Sequence, residues 1–334
     1  MRLPTVPLGR SGELIGAQGL GCMGMSEFYG PTDTAEALAT LDAALEAGVT
    51  LFDTADIYGS GANEELIGPF VRANRDQVVL ATKFAIERRA DDPTYRAVRN
   101  DPAYIRTAVD DSLRRLGVDV IDLYYMHRRD PAVPLAESVG AMAELVQAGK
   151  VRELGLSEVT GDELREAYAV HPIAALQSEW SLFSRDVERT AVPAAAELGV
   201  TFVPYSPLGR GFLTGSFAAA EQLTEGDYRR YHPQFSGPNA AANAALIAPI
   251  QKIAADRGVT TAQIALAWVH QRAEVHGLTV VPIPGTRKRT RLAENTAAAT
   301  LHLTPAELAT LEPIAAQVTG NRYADMSFTS AGRE

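Results

Sequence analysis

Short apolar runs recur along the chain and alternate with longer amphipathic stretches. The runs are TLFDTA (50–55), QVVLATKF (77–84), VDVIDLYYMH (118–127), VRELGLS (151–157), AALQSE (174–179), VTFVPYS (200–206) and LTVVPIP (278–284), with QGLGCMG (18–24) as an eighth. Most are short and rich in Val, Ile, Leu, Thr or aromatics, so they read as buried strands. Between them lie helical patterns. Residues 33–48 start on Asp33 or Thr34, place Leu38, Leu41 and Leu45 at three- and four-residue spacing, and stop at Gly48. Residues 101–117 open Asp-Pro and end in Gly117, 134–150 end at Gly149, and 186–199 end at Gly199 with a kink expected at Pro193. A further helix is predicted over 304–318, after the last strand.

Strand, helix, glycine, strand is the rhythm of βα units on a parallel sheet. Eight strands with no dividing linker predict one closed (β/α)8 barrel spanning 1–334; two doubly wound domains are the alternative. The opening TVPLGRSGELI predicts a hairpin turning between Gly9 and Gly12, a plug under the barrel floor. Two long loops, 84–101 and 206–240, each follow a strand and are expected over the strands' C-terminal face, where barrel active sites sit.

Composition narrows the function. With 46% hydrophobic residues in 334, the chain can fill a large core. A net charge of −10 argues against a nucleic-acid partner. The single cysteine, Cys22, excludes an internal disulfide and a Cys-based zinc site. No 18-residue uncharged apolar run and no apolar leader is present, so a cytoplasmic protein with no membrane contact is expected.

GLGCMG (19–24) matches the spacing of a dinucleotide fingerprint, Gly-x-Gly-x-x-Gly. That fingerprint must open a helix directly, so that pyrophosphate meets the helix N-terminus. Here Gly30-Pro31 breaks the chain first and the helical pattern begins at 32–34. The glycines are better read as a strand end that lets backbone approach a ligand.

Four polar side chains converge at strand ends: Asp53 and Tyr58 in LFDTADIYG, Lys83 in ATKF and His127 in DLYYMH. A lysine completing a buried strand must be paired or lose its charge. Paired with Asp53 it stays charged, and its ammonium is expected to make the Tyr58 phenol a stronger acid. His127 can hold a carbonyl oxygen. The group protonates an oxygen on which negative charge develops.

In these motifs, and in GLSE, QSEWSLF, PYSPLGRGFLTG and IPGTRKRTRLAEN, the chain resembles the aldo-keto reductase family over its whole length, closest to the branch of perakine reductase and plant pyridoxal reductase. The resemblance implies a (β/α)8 barrel without a Rossmann fold, NADPH as cofactor, a small-molecule carbonyl as substrate, and a catalytic tetrad at Asp53, Tyr58, Lys83 and His127. It implies nicotinamide contacts from Ser157, Gln177 and Tyr205. Ser206, Pro207, Leu208, Gly209, Arg210 and Gly211 would follow the pyrophosphate, and Gly285, Thr286, Arg287, Arg291, Glu294 and Asn295 would meet the adenosine end. Gly21, Cys22 and Met23 would lie near the nicotinamide. The basic run from Arg287 to Arg291 suits a 2′-phosphate.

Many members of the wider family carry Ser-Asn where this chain has Ser157-Glu158, a Ser-Glu pair that the perakine-reductase-like branch shows. An Asn amide donates a hydrogen bond and an ionised Glu cannot, which puts a direct carboxamide contact from Glu158 in question. Substrate walls are expected from Met23, Phe28, Tyr29, Phe84, Arg128 and Trp180 and from the 216–236 loop. Arg128 would meet an anionic substrate or face solvent. A non-enzymatic, cofactor-binding partner protein like the potassium-channel β subunits is the alternative function. The oligomeric state is open.

Overall fold

The opening hairpin forms from β1 (Thr5–Leu8) and β2 (Glu13–Gly16), paired antiparallel from Thr5 opposite Gly16 to Leu8 opposite Glu13. Leu8 and Ile15 point inward against Leu51, Val79, Leu123 and Val203. The Gly9 amide donates to Thr201 Oγ1 at 2.8 Å and the Gly16 amide to Thr50 Oγ1 at 2.9 Å. Both threonines stand at strand starts, so the hairpin closes the N-terminal end as expected. The computed structural model describes residues 2–30, 32–89, 91–92 and 95–334. Pro31 and residues 90, 93 and 94 of the 84–101 loop lie outside the described residues.

The other strands are β3 (Leu20–Gly21), β4 (Leu51–Asp53), β5 (Val79–Phe84), β6 (Ile86–Glu87), β7 (Ala97–Val98), β8 (Ile121–Met126), β9 (Val151–Ser157), β10 (Ala175–Glu179) and β11 (Thr201–Tyr205). A small antiparallel pair, β6 and β7, sits inside the 84–101 loop. The main sheet is parallel, in the order β3-β4-β5-β8-β9-β10-β11. The eighth predicted run, 278–284, closes the ring without forming a full ladder. On one side Val281 N donates to Phe202 O and Ile283 N to Pro204 O. On the other, Gly19 N donates to Pro282 O, and Gly21 and Gly285 form a parallel bridge. Pro282 and Pro284 alternate with these donors. They occupy positions whose N–H would face β3, and proline has none to give.

The predicted helices appear at Thr34–Glu46, Pro102–Leu116, Leu135–Gln147, Ala191–Leu198 and Pro305–Leu311. Asp33 and Asp101 cap the first two through Ala35 N and Tyr104 N. Pro193 does not kink its helix. The helix starts only at Ala191, so proline falls in the first turn, where its missing N–H breaks no intrahelical bond. The helix predicted over 304–318 stops at Leu311. Helices Ala62–Ala73, Gly161–Val170, Gly237–Ala245, Ala248–Arg257 and Thr261–His276 were not singled out by the pattern.

Register decides what fills the barrel's upper interior. Lys83 of β5 lies opposite Tyr125 of β8, and Tyr125 lies opposite Gly155 of β9. The Tyr125 ring fills the space over Gly155, where a Cβ would overlap it. Tyr125 is wholly buried, and its ring centre lies 5.9 Å from Lys83 Nζ. Gly155→Ala is therefore expected to push that ring toward the lysine and to cost about 1–3 kcal/mol of overpacking. A urea unfolding midpoint unchanged from the parent protein would contradict this packing.

Candidate active site

Six non-glycine residues among those described have positive φ: Phe28, Ser60, Ala85, Glu158, Ser206 and Arg210. All six lie in segments following the C-terminal ends of β3, β4, β5, β9 and β11. Left-handed backbone costs a side-chain-bearing residue about 1–3 kcal/mol and collects at functional sites. Backbone strain thus marks the same face that the long loops cover.

Asp53 ends β4 and Lys83 lies near the end of β5, and both are buried. Lys83 Nζ donates to Asp53 Oδ1 at 2.5 Å, to Thr54 O at 2.8 Å and to Tyr58 Oη at 3.5 Å. Asp53 Oδ2 accepts from Gln177 Nε2 at 2.8 Å, so both carboxylate oxygens are held. Tyr58 opens a one-turn segment, Tyr58–Gly61, which Glu27 steadies by accepting from the Gly59 amide at 2.7 Å. His127 follows β8 and meets the Tyr58 ring edge-on at 6.0 Å. Its Nδ1 is buried without a hydrogen-bond partner among the described residues. The structure brings all four predicted residues together.

Their titration follows from burial and charge. Burial alone would lower the Lys83 ammonium, but Asp53 and then Tyr58 carry it above its ordinary value. Burial lifts the Tyr58 phenol above 10, and Lys83 opposes the rise without cancelling it. This corrects the expectation of a strengthened acid: in this setting desolvation outweighs the ammonium. Burial, then Arg128 and Lys83, pushes His127 well below its usual range, so the imidazole is neutral at pH 7.

Glu158, the departure noted in the sequence, is wholly buried and bonded to Arg322 and Ser330 from the far end of the chain. Oε1 accepts from Arg322 Nη1 at 3.0 Å, Tyr205 Oη at 2.7 Å and Glu179 N at 3.2 Å. Oε2 accepts from Arg322 Nη2 at 3.3 Å and from the Ser330 amide at 3.1 Å. Burial opposes ionisation, but Arg322 and Arg128 hold the carboxyl down at about 2. Tyr323 Oη accepts from Arg210 Nη2 at 2.6 Å, and the same nitrogen donates to Glu179 at 2.8 Å. Sequence reasoning missed Glu179, Arg322, Tyr323 and Ser330. The one available signal was Glu158 itself, because an acid placed at a barrel strand end requires a cation nearby.

The expected cofactor residues divide by what they already hold. Ser157, Gln177 and Tyr205 stand side by side, with Gln177 opposite Ser157 and Tyr205 opposite Glu179. Ser206, Pro207, Leu208, Gly209 and Gly211 form the turn after β11, in which the Gly209 amide donates to Ser206 O and the Gly211 amide to Leu208 O. Arg210 is committed to Glu179 and Tyr323. Arg287 donates to Gly24 O, Gly30 O, Thr32 Oγ1 and Tyr29 O, and so ties down the 24–32 loop. Gly285 abuts Gly21, and a Cβ on Gly21 would stand 3.0 Å from Ile283 O. Thr286 precedes the helix Arg289–Ala297, which carries Arg291, Glu294 and Asn295. Arg291 is exposed and has no hydrogen-bond or ion-pair partner among the described residues. A half-buried aromatic ring at Tyr205, with Ser157 and Gln177 on the neighbouring strands, and an exposed cation in the first turn of the helix Arg289–Ala297 fit a nicotinamide dinucleotide.

Of the expected walls, Phe28 packs edge-on against Tyr228 at 5.5 Å, and the Arg229 guanidinium lies 4.9 Å from the Tyr29 ring centre. Met23 is half-buried. Phe84 and Trp180 do not line the site. Phe84 stacks on Tyr124 and Trp180 packs on Phe202 and His276, each wholly buried in the main core, because both side chains face outward from the barrel. Cys22 is likewise buried, its Sγ 3.7 Å from Leu20 O.

The Glu158–Arg322 pair predicts a stability effect. Arg322→Met leaves a buried carboxylate without its main cation and is expected to cost about 3 kcal/mol. Glu158 sits below its ordinary 4.5 when folded, so its contribution is present above that value and fades as pH falls toward 2. Chemical denaturation at pH 7 and pH 4 measures both effects. A loss under about 1 kcal/mol at pH 7 would contradict the assignment.

Comparison with known proteins agrees with this geometry. The profile of the Aldo/keto reductase family matches residues 18–316. Among solved structures, the glycerol dehydrogenase AKR11B4 from Gluconobacter oxydans is 29% identical, covers 95% of this chain and 96% of its own, and superposes with a TM-score of 0.84. A thermostable aldo-keto reductase, Tm1743, solved with the inhibitor epalrestat, is 30% identical over 93% of this chain and 100% of its own, with a TM-score of 0.73. An aldo/keto reductase from Klebsiella pneumoniae in complex with NADP and acetate is 27% identical over 95% and 99%, with a TM-score of 0.71. With its tetrad assembled on a closed parallel barrel, this chain belongs to the aldo/keto reductase family of oxidoreductases.

Proposed function

We propose that the protein reduces aldehydes and ketones to alcohols with NADPH, acting in the cytoplasm on small carbonyl compounds. The observation that carries this reading is the Tyr58 hydroxyl 3.5 Å from a lysine ammonium that Asp53 holds at 2.5 Å. The bound dinucleotide would supply hydride to the carbonyl carbon. Tyr58 gives its proton to the carbonyl oxygen as that oxygen gains charge. A phenol held above its ordinary value is fully protonated at neutral pH, so the acid form is present when needed. Lys83 remains a cation and stabilises the phenolate left behind. Neutral His127 can direct a ring N–H at the same oxygen and fix its position.

The NADP-bound Klebsiella pneumoniae neighbour and the unpaired Arg291 support NADPH as the cofactor. The Ser157-Glu158 pair supports a place in the perakine reductase and pyridoxal reductase branch.

Tyr58→Phe removes the proton donor and keeps the ring. Its expected outcome is a loss of about 10²–10⁴ in kcat for a reactive aldehyde, read by NADPH absorbance, with NADPH affinity unchanged within about threefold. A variant retaining more than about a tenth of the parent rate would sink the role given to Tyr58.

A further inference from the structure

Beside Tyr205 the hydrogen-bond donors are nearly exhausted. Both Glu158 oxygens are occupied, and a carboxylate donates nothing. Gln177 spends one of its two amide hydrogens on Asp53 and keeps the other, and Tyr205 spends its own on Glu158. Ser157 has a single O–H to give. Arg128 differs. It is 8% exposed, and its Nη1 donates to His127 O at 2.7 Å and to Ser157 Oγ at 3.2 Å. The three remaining N–H groups, on Nε and Nη2, have no acceptor among the described residues. The guanidinium centre lies 6.0 Å from the Tyr205 ring centre and 5.7 Å from that of Phe328. These N–H groups are not sealed in the core but remain open to solvent, so a ligand entering the site can accept from them.

We propose that Arg128 holds the carboxamide oxygen of the nicotinamide, donating from Nε or Nη2 beside Ser157 and taking the place of the donor that Glu158 cannot be. Glu158 serves instead as the buried anchor for residues 322–333, and its charge offsets that of Arg128. The ring that stacks on Tyr205 is then oriented by a cation rather than by a neutral amide. This rests on the NADPH reading and adds a residue to it.

A cation in this place makes a testable demand on the cofactor. A carboxylate replacing the carboxamide should be accepted, because guanidinium pairs with carboxylate in bidentate fashion. The experiment measures dissociation constants of NADP+ and of its nicotinic-acid analogue by quenching of tryptophan fluorescence, for the parent protein and for Arg128→Met and Arg128→Gln. The parent is expected to bind the analogue at least as tightly as NADP+. Arg128→Met should weaken NADP+ about tenfold and the analogue about a hundredfold, as befits loss of a charge-assisted bond. Arg128→Gln should recover most of the NADP+ affinity and little of that for the analogue.

Three results would overturn the proposal. One is a parent protein that rejects the analogue. Another is equal weakening of both ligands in Arg128→Met together with a lowered melting temperature, which assigns a structural role. The third is unchanged dissociation constants with KM raised only for carboxylate-bearing carbonyls, which assigns Arg128 to substrate. A parent that binds neither dinucleotide overturns the NADPH reading itself.

Discussion

The buried ion pair between Lys83 and Asp53 is the constraint on which the rest of the site depends. Neither group survives alone in that position, since an unpaired charge in a barrel interior costs several kcal/mol. Parallel pairing of β4 and β5 fixes both strand ends at one height, with Asp53 opposite Ala81. Thr54 O and Gln177 Nε2 complete the pair's hydrogen bonds. The tyrosine then receives an ammonium whose charge and direction are already set. Tyr125 below, accommodated by Gly155, completes the packing around the lysine.

A second buried network, built on Glu158, joins elements that are distant in sequence. Arg322 and Ser330 come from the far end of the chain, Tyr205 from β11 and Glu179 from β10. Through Arg210 and Tyr323 the network reaches the turn after β11. The strained φ at Glu158, Ser206 and Arg210 is sustained by these contacts. The Tyr205 hydroxyl is thereby fixed, and Arg128 and Ser157 are the donors that the proposed carboxamide contact uses beside it.

Much of this was legible in the sequence, for physical reasons. Buried parallel strands must be continuous apolar runs, so β4, β5, β8, β9, β10 and β11 stood out. Polar groups that interrupt such runs at their ends, as Asp53, Lys83 and His127 do, must be paired or functional. The eighth strand was found by its apolarity, but the effect of Pro282 and Pro284 on its pairing needed coordinates. Phe84 and Trp180 were misplaced because a strand alternates its faces, and a residue next to an inward-facing one looks outward. The acidity of Tyr58 was misjudged because desolvation depends on depth, which no local pattern records. Arg210 and Arg287 looked free for phosphate, yet both are bound to groups far away in the chain.

The central claim is that a charged Lys83 acts on the Tyr58 phenol against the pull of burial. Titration of Tyr58 by NMR of ring-labelled tyrosine, in the parent protein and in Lys83→Met, measures that action directly. The account requires Tyr58 to titrate above 10 in the parent and higher still once the ammonium is gone. A phenol whose titration stays put or falls in Lys83→Met would contradict it.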